Sequence, residues 1–412
     1  MQGRHSRCPL GFGSIWRIRQ LRRYFRFLMD RVSITPRPDY VSKVESLGLV
    51  FHTVDDQPYW NESAYYRLTA DEVDTLESAT QVLFDLCMEA VDFVLGEGRL
   101  GDFGIPESAH KVIGEVWDAD PPSLYGRFDL AWNPGQPPKM LEFNADTPTS
   151  LLEAAVIQWH WLQEVFPNED QFNSIWDGLA QKWKDLASEG YLKSGRVHFA
   201  CGDAPEDFMT TAVLMDTATE AGLEAVSLGI EEIGWDTATN RFVGTDHLPM
   251  DAIFKLYPWE WMLSDQFGPH ALRSMHHHIW MEPIWKMVLS NKAILAILWE
   301  MFPGHENLLP AYIDGPRELG SYVKKPLLGR EGANVTIVDN GREVNEEGPY
   351  GSGPFVFQEY RPLPVFDGNH AVIGSWVVDC VPRGIGIRES DGPITQDLAR
   401  FVPHCFSPRN QL

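Results

Sequence analysis

Between Gly126 and Asp146 the chain alternates apolar and polar residues on either side of a segment that neither a strand nor a helix can cross. That segment, residues 133–138, reads Asn-Pro-Gly-Gln-Pro-Pro and forces a turn, so the flanking runs 126–130 and 140–146 are expected to form the two strands of a β-hairpin. Side chains at i and i+2 share one face of a strand. This groups Arg127 with Asp129 and Glu142 with Asn144, and turns Phe128, Leu130, Leu141 and Phe143 the other way. Three oxygen-bearing side chains on one face, Asp129, Glu142 and Asn144, suit a hard cation such as Mg2+, which keeps waters and takes substrate phosphates for its remaining positions. Arg127 beside them can hold a phosphate or a carboxylate. The same pattern also fits a solvated hairpin face carrying a structural Arg–Asp pair, and this segment alone leaves both readings open.

Composition removes several classes of function. A formal charge of −24 argues against nucleic acid, whose binding rests on clustered Lys and Arg. An acidic protein that handles phosphates must therefore rely on a few placed cations and a metal. With 412 residues, 44% of them hydrophobic, the chain can bury a full core in two or more subdomains, and 15 Trp with 22 Phe exclude a disordered chain. Its cysteines, at positions 8, 87, 201, 380 and 405, are dispersed and odd in number, the pattern of free thiols in a reducing, cytoplasmic compartment. No apolar run reaches the roughly 18 residues that span a bilayer, so no membrane partner is expected.

The first residues differ in kind from the rest. Arginines at 4, 7, 17, 19, 22, 23 and 26 occur before Met29 without a single acid, and the acidic composition opens abruptly at Met29-Asp30. Residues 1–28 are therefore expected to be a poorly ordered basic leader, a targeting segment or a translated upstream stretch.

Thr69, with Asp71 and Glu72 behind it, reads as the start of a helix whose apolar periodicity runs to about Leu95. Thr147, Pro148, Thr149 and Ser150 are expected to cap a second helix through Val165, which would set a helix N-terminus and its free N–H groups behind Asn144 and Asp146. Residues 196–200 read as a strand, 205–221 as a helix, 223–228 as the next strand and 252–257 as another, a small doubly wound unit without the GxGxxG of a dinucleotide site. Further on, a short strand at Tyr322–Pro326 leads into a glycine-bearing loop, residues 327–334, and a returning strand at 335–338. This loop does not open a helix as a phosphate-binding Walker loop does, but between antiparallel strands it can fold over triphosphate oxygens as a flap. Residues 355–360 then form an apolar strand ending in Gln358, Glu359 and Tyr360, as a strand beside an adenine would.

Arg127-Phe-Asp129, Glu142-Phe-Asn144-Ala-Asp146, Asn291-Lys292, Val323-Lys-Lys325-Pro326, Gly329-Arg-Glu-Gly332, Gln358-Glu359 and Gly384-Ile-Gly-Ile-Arg388 follow one another in this order. Together they resemble the glutathionylspermidine synthase-like family, over roughly residues 30–412 and most closely its stand-alone synthetases without an amidase domain. The resemblance implies an α/β (α+β) ATP-grasp fold with a Rossmann-like pre-ATP-grasp subdomain, permuted as in that family. It divides the chain into the leader 1–28, a region 29–194 with the metal-binding hairpin, the βαβ subdomain 195–285, and ATP-binding strands with the glycine loop in 286–412. It implies ATP and Mg2+ as cofactors, with Asp129, Glu142 and Asn144 as magnesium ligands and Arg127 facing the transferred phosphate. Lys292 and Lys325 would lie on the nucleotide phosphates, Lys325 rather than Lys324 because it precedes the proline. Gly329 and Gly332 would belong to the phosphate flap, Gln358, Glu359 and Tyr360 would lie beside adenine, and Arg388 would face phosphate.

The implied activity is that of an ATP-dependent carboxylate–amine ligase, which makes an acyl phosphate that an amine attacks. Such phosphoryl transfer needs charge stabilisation more than covalent help, and the loop 329–334 is expected to close as a lid against water. Its substrates would be a small-molecule carboxylate and amine, a peptide and a polyamine by family, although no motif here selects either. An alternative within the same fold is an ATP- and Mg-binding partner or regulator without turnover. A glycosidase using paired carboxylates and Trp platforms is a third reading. His276, His277 and His278 would point about 100° apart on a helix and not converge on one metal. Trp159, Trp161, Trp259 and Trp261 are expected to pack in the interior, and residues 101–104 to form a turn.

Overall fold

The computed structural model describes residues 28–54, 56–351, 353–396 and 399–408. The basic leader expected over residues 1–28 thus lies outside the described residues except for Leu28, as does Cys8. Met29 is already buried, its amide donating to Glu72 Oε1 at 2.7 Å. Glu72 also closes a capping box with Thr69, which starts the helix Ala70–Gly96 where the sequence places it.

The expected hairpin forms from the strands Tyr125–Ala131 and Lys139–Asn144. Arg127 stands opposite Asn144 and Asp129 opposite Glu142, while on the reverse face Phe128 stacks on Phe143 with ring centroids 3.8 Å apart. That reverse face packs against the helix Ala70–Gly96, where Phe84 meets Phe143 edge-on. Burying each of these rings contributes roughly 1.5–3 kcal/mol. One expectation fails: Leu141 does not turn to the core. A bulge after Asp129 pairs Leu130 with Met140, so Met140 takes the core position and Leu141 packs with Leu363 and Val372 instead.

The hairpin is not an edge feature. Strands Asn369–Val378, Val381–Ser390 and Arg400–Val402 extend it into an antiparallel sheet in which Gly374 faces Asp129. A second antiparallel sheet runs in the spatial order Ala311–Tyr312, Phe355–Glu359, Tyr322–Pro326, Thr336–Asp339 and Arg342–Asn345. A third sheet is parallel, in the order Ile279–Met281, Ala252–Leu256, Arg196–Cys201 and Glu224–Gly229. The helix Pro205–Glu220 follows the strand Arg196–Cys201 and carries its proline in the first turn, where the missing N–H is harmless. Strand order reverses between Arg196–Cys201 and Ala252–Leu256, which opens a crevice beyond the carboxyl ends of those two strands.

A buried ion pair joins this sheet to the hairpin. Lys255 Nζ lies 2.7 Å from Asp146 Oδ1, and the amide of Trp259 donates to Asp146 Oδ2 at 3.0 Å. The helix after the hairpin also departs from expectation. It contains a π-helical stretch, Glu153–Ile157, before Gln158–Val165; the Ser150 carbonyl accepts from the Ala154 amide at 3.3 Å, but its φ of 64° is left-handed and its hydroxyl meets Tyr59. Residues Arg99–Phe103 form a 3-10 turn, and His276 and His277 lie on another rather than on an α-helix. Trp161 and Trp259 are buried as expected, whereas Trp159 and Trp261 are exposed. Among the described residues no helix is long and apolar enough to cross a membrane, and Cys87, Cys201, Cys380 and Cys405 are free thiols.

Candidate active site

A cavity of about 610 Å3 opens between the three sheets. The residues expected to bind metal or nucleotide or to face phosphate line it: Arg127, Asp129, Glu142 and Asn144 from the hairpin, Lys292, Lys325, Gly329 and Gly332, Gln358, Glu359 and Tyr360, and Arg388.

On the hairpin face Asp129 is gripped by two guanidinium groups. Arg127 Nε donates to its Oδ1 at 2.7 Å and Arg388 Nη2 to its Oδ2 at 2.7 Å. Arg127 and Asp129 are both buried, so this is not a solvated ion pair. Opposite, Asn144 donates to Glu142 Oε1 at 3.0 Å, and Lys292 Nζ reaches Glu142 Oε2 at 3.0 Å and the Gly329 carbonyl at 2.6 Å. Burial opposes ionisation of Glu142, but Lys292, Lys325 and the Asn144 hydrogen bond outweigh it and hold the carboxyl below the usual carboxylate range.

Lys325 Nζ donates to the Leu141 carbonyl at 3.0 Å and to Gln358 Oε1 at 2.8 Å. Burial pushes its ammonium down to about 8, with Lys292 adding to the shift and Glu142 and Asp129 opposing it. Adjacent strand residues face opposite ways, so Lys324 instead lies over the Phe355 ring, 4.0 Å from its centroid. Gln358 Nε2 donates to the Met140 carbonyl, which makes this side chain a brace between Lys325 and the hairpin. In the glycine loop Gly332 has a φ of 73°, and a Cβ there would lie 2.7 Å from the Thr395 carbonyl oxygen. Only glycine fits this turn.

Several cavity residues carry no local signal that singles them out. Arg330, on the glycine loop, donates to Thr147 Oγ1 at 2.7 Å and to Glu260 Oε1 at 2.9 Å. Asp203, Glu206, Asp207 and Glu231 line the side of the cavity formed where the parallel strands end. Burial, reinforced by Glu206, pushes Asp207 up to about 6. Asp203 sits on the turn after Arg196–Cys201 and Glu206 and Asp207 in the first turn of the helix that follows, while Glu231 follows Glu224–Gly229, and the parallel pairing of those two strands brings it to the other three. The cavity is thus polarised: at the hairpin Arg127, Lys292, Lys325 and Arg388 outnumber the carboxylates of Asp129 and Glu142, and at the parallel sheet carboxylates predominate.

Residues 31–407 match the family model described as glutathionylspermidine synthase pre-ATP-grasp. The chain is 39% identical over 400 residues to a protein of Haemophilus influenzae provisionally named an acid–amine ligase, covering 92% of this chain and 100% of that one. It is 32% identical to the trypanothione synthetase of Crithidia fasciculata, over 76% of this chain and 52% of the relative. With the bifunctional glutathionylspermidine synthetase/amidase of Escherichia coli the identity is 26%, over 85% of this chain and 60% of the relative. The chain therefore spans only part of the two longer relatives. Among solved structures, a glutathione synthetase-like effector from Globodera pallida in its apo form superposes with a TM-score of 0.55 at 11% identity, covering 89% of this chain and 96% of that one.

Proposed function

This chain belongs to the glutathionylspermidine synthase family, and from that premise we propose that it is an ATP-dependent ligase joining a small-molecule carboxylate to an amine. The observation that carries this reading is the polarity of this cavity, where four cations outnumber two carboxylates at the hairpin and carboxylates line the parallel sheet. A cationic wall suits the phosphates of ATP and the carboxylate to be activated, and an anionic wall suits an amine that arrives protonated.

In this reading Lys292 and Lys325 hold nucleotide phosphates, while Arg127 and Arg388 face the oxygens that gain charge as the γ-phosphoryl passes to the carboxylate. The glycine loop, with Gly329 and Gly332, lies over the phosphates and keeps water from the acyl phosphate. Gln358 braces Lys325, and Glu359 and Tyr360 flank the adenine. Asp129, Glu142 and Asn144 would hold Mg2+: they offer oxygen donors from two adjacent strands, with the anionic charge a hard cation requires. When bound, the ion supplies charge neutralisation and orientation of phosphate oxygens.

By analogy with the relatives' names, the acid is a glutathione-like peptide and the amine a polyamine, and Asp203, Glu206, Asp207 and Glu231 are suited to a chain of ammonium groups. The test is incubation of the protein with Mg-ATP, glutathione and spermidine, following ADP release and the amide product. ADP release that requires both substrates is the expected result. Nucleotide binding without any acid- or amine-dependent ADP release would overturn the ligase reading in favour of a binding protein.

A further inference from the structure

Resting on the ligase reading, the structure points to a residue that the family resemblance does not assign. Ser150 lines the cavity between the hairpin arginine and the acidic wall, beside Thr149, whose carbonyl accepts from Arg127 Nη1 at 2.7 Å. Its φ of 64° is a left-handed conformation that serine rarely adopts. Its Oγ lies 3.2 Å from the hydroxyl of Tyr59, which is 3% exposed. Three residues on, Glu153 opens the π-helical stretch, a distortion that often marks functional positions. Glu153 is 1% exposed, and its Oε1 has no hydrogen-bond partner. A buried carboxyl with an unused acceptor is costly unless it serves a purpose.

We propose that Glu153 accepts the proton that the amine substrate must lose before it attacks, relayed from the cavity through the hydroxyls of Ser150 and Tyr59. An ammonium ion has no lone pair, so one proton must leave first. Ser150 Oγ takes it and passes its own to Tyr59, which passes its own to the Glu153 carboxylate. The amine nitrogen then bonds to the acyl carbon as the bond from that carbon to the phosphate oxygen breaks. Phosphate leaves with the electron pair and carries off the second nitrogen proton, and Glu153 returns its proton to solvent after the amide departs. Glu153 touches no substrate in this scheme; it acts through Tyr59 and Ser150.

The charge environment agrees. Burial pushes Glu153 up to about 7, with Glu206 raising it further and its own backbone, Tyr59 and Arg127 lowering it. A group poised there can both take and release a proton near neutral pH.

The test compares wild type with Glu153→Gln, using glutathione and two nucleophiles, spermidine and hydroxylamine. Hydroxylamine is largely unprotonated at pH 7 and needs no such acceptor. We expect spermidine amide formation to fall about a hundredfold at pH 7, to recover as pH rises and the amine deprotonates in solution, and hydroxamate formation to stay unchanged. Equal losses with both nucleophiles, or no loss with either, overturn the relay. Wild type that forms no hydroxamate at all would count against the ligase reading instead. A second measurement needs no turnover: the infrared difference between wild type and Glu153→Gln should hold the carbonyl band of one protonated carboxyl that disappears between pH 6 and 8, since Asp207 contributes equally to both proteins. Its absence from that difference overturns the assignment.

Discussion

Arg388 Nη2 lies 2.7 Å from Asp129 Oδ2, a contact between residues 259 positions apart in the chain. It closes a three-membered cluster, because Arg127 holds the other face of the same carboxylate. Removing the carboxylate's charge would leave two guanidinium groups together, one of them buried. Asp129→Asn is therefore expected to lose ADP formation and also about 3 kcal/mol of stability, as broken buried ion pairs do. Glu142→Gln should lose ADP formation as well. Urea unfolding and ADP release on both variants check this. A fully stable and fully active Asp129→Asn would refute the role assigned to the cluster.

The two neighbouring lysines separate cleanly. Lys325 faces the cavity and Lys324 the Phe355 ring. Lys325→Met should raise the ATP dissociation constant at least tenfold, a loss of about 1.4 kcal/mol, and Lys324→Met should change it little. Because the free Lys325 ammonium sits near 8, wild-type ATP affinity should weaken as pH rises above that value, and Lys325→Arg should abolish that weakening. Calorimetric titration across pH 7–9.5 measures both effects.

Gly374 gives Arg127 its room. A Cβ at this position would lie 3.0 Å from Arg127 Cδ. Gly374→Ala is expected to push the guanidinium away from Asp129, lowering turnover more than ATP affinity, since the nucleotide lysines lie on other segments. Steady-state kinetics beside nucleotide titration will show whether kcat falls alone; parallel losses would indicate a general disruption of the sheet.

His404 predicts an acid-sensitive fold. It is fully buried, and burial pushes it down to about 3. An unfolded histidine titrates near 6.5, so between those values the unfolded chain binds a proton that the folded chain refuses. The contribution to stability is complete above pH 6.5 and shrinks as pH falls. Going from pH 7 to 5, wild type should lose about 2 kcal/mol more than His404→Gln. His278, pushed down to about 4, acts in the same direction, and Glu153, pushed up to about 7, in the opposite one. Both remain in the variant, so the difference between the two urea midpoints isolates His404.

Local chemistry made much of this protein legible from its residues alone. The hairpin follows from a two-residue period and a turn that proline and glycine impose, and its charged face from that same period. The start of the helix at Ala70 follows from the Thr69 and Glu72 pair, and the crossover of the parallel unit from alternating apolar runs. The order of the short motifs was enough to indicate the family. Other features depend on contacts between segments far apart in the chain. The bulge that turns Leu141 into the cavity reflects how Met140 fits the core, and a strict alternation cannot express it. Glu231 joins Asp203, Glu206 and Asp207 in one wall only because parallel pairing brings the ends of two separate strands together. Gly374 matters because antiparallel pairing sets it opposite Asp129, and Glu153 because packing buries it beside Tyr59. A sequence pattern reports what neighbours along the chain prefer, whereas burial, charge and room at a site are set by neighbours in space, and those exist only once the sheets have packed.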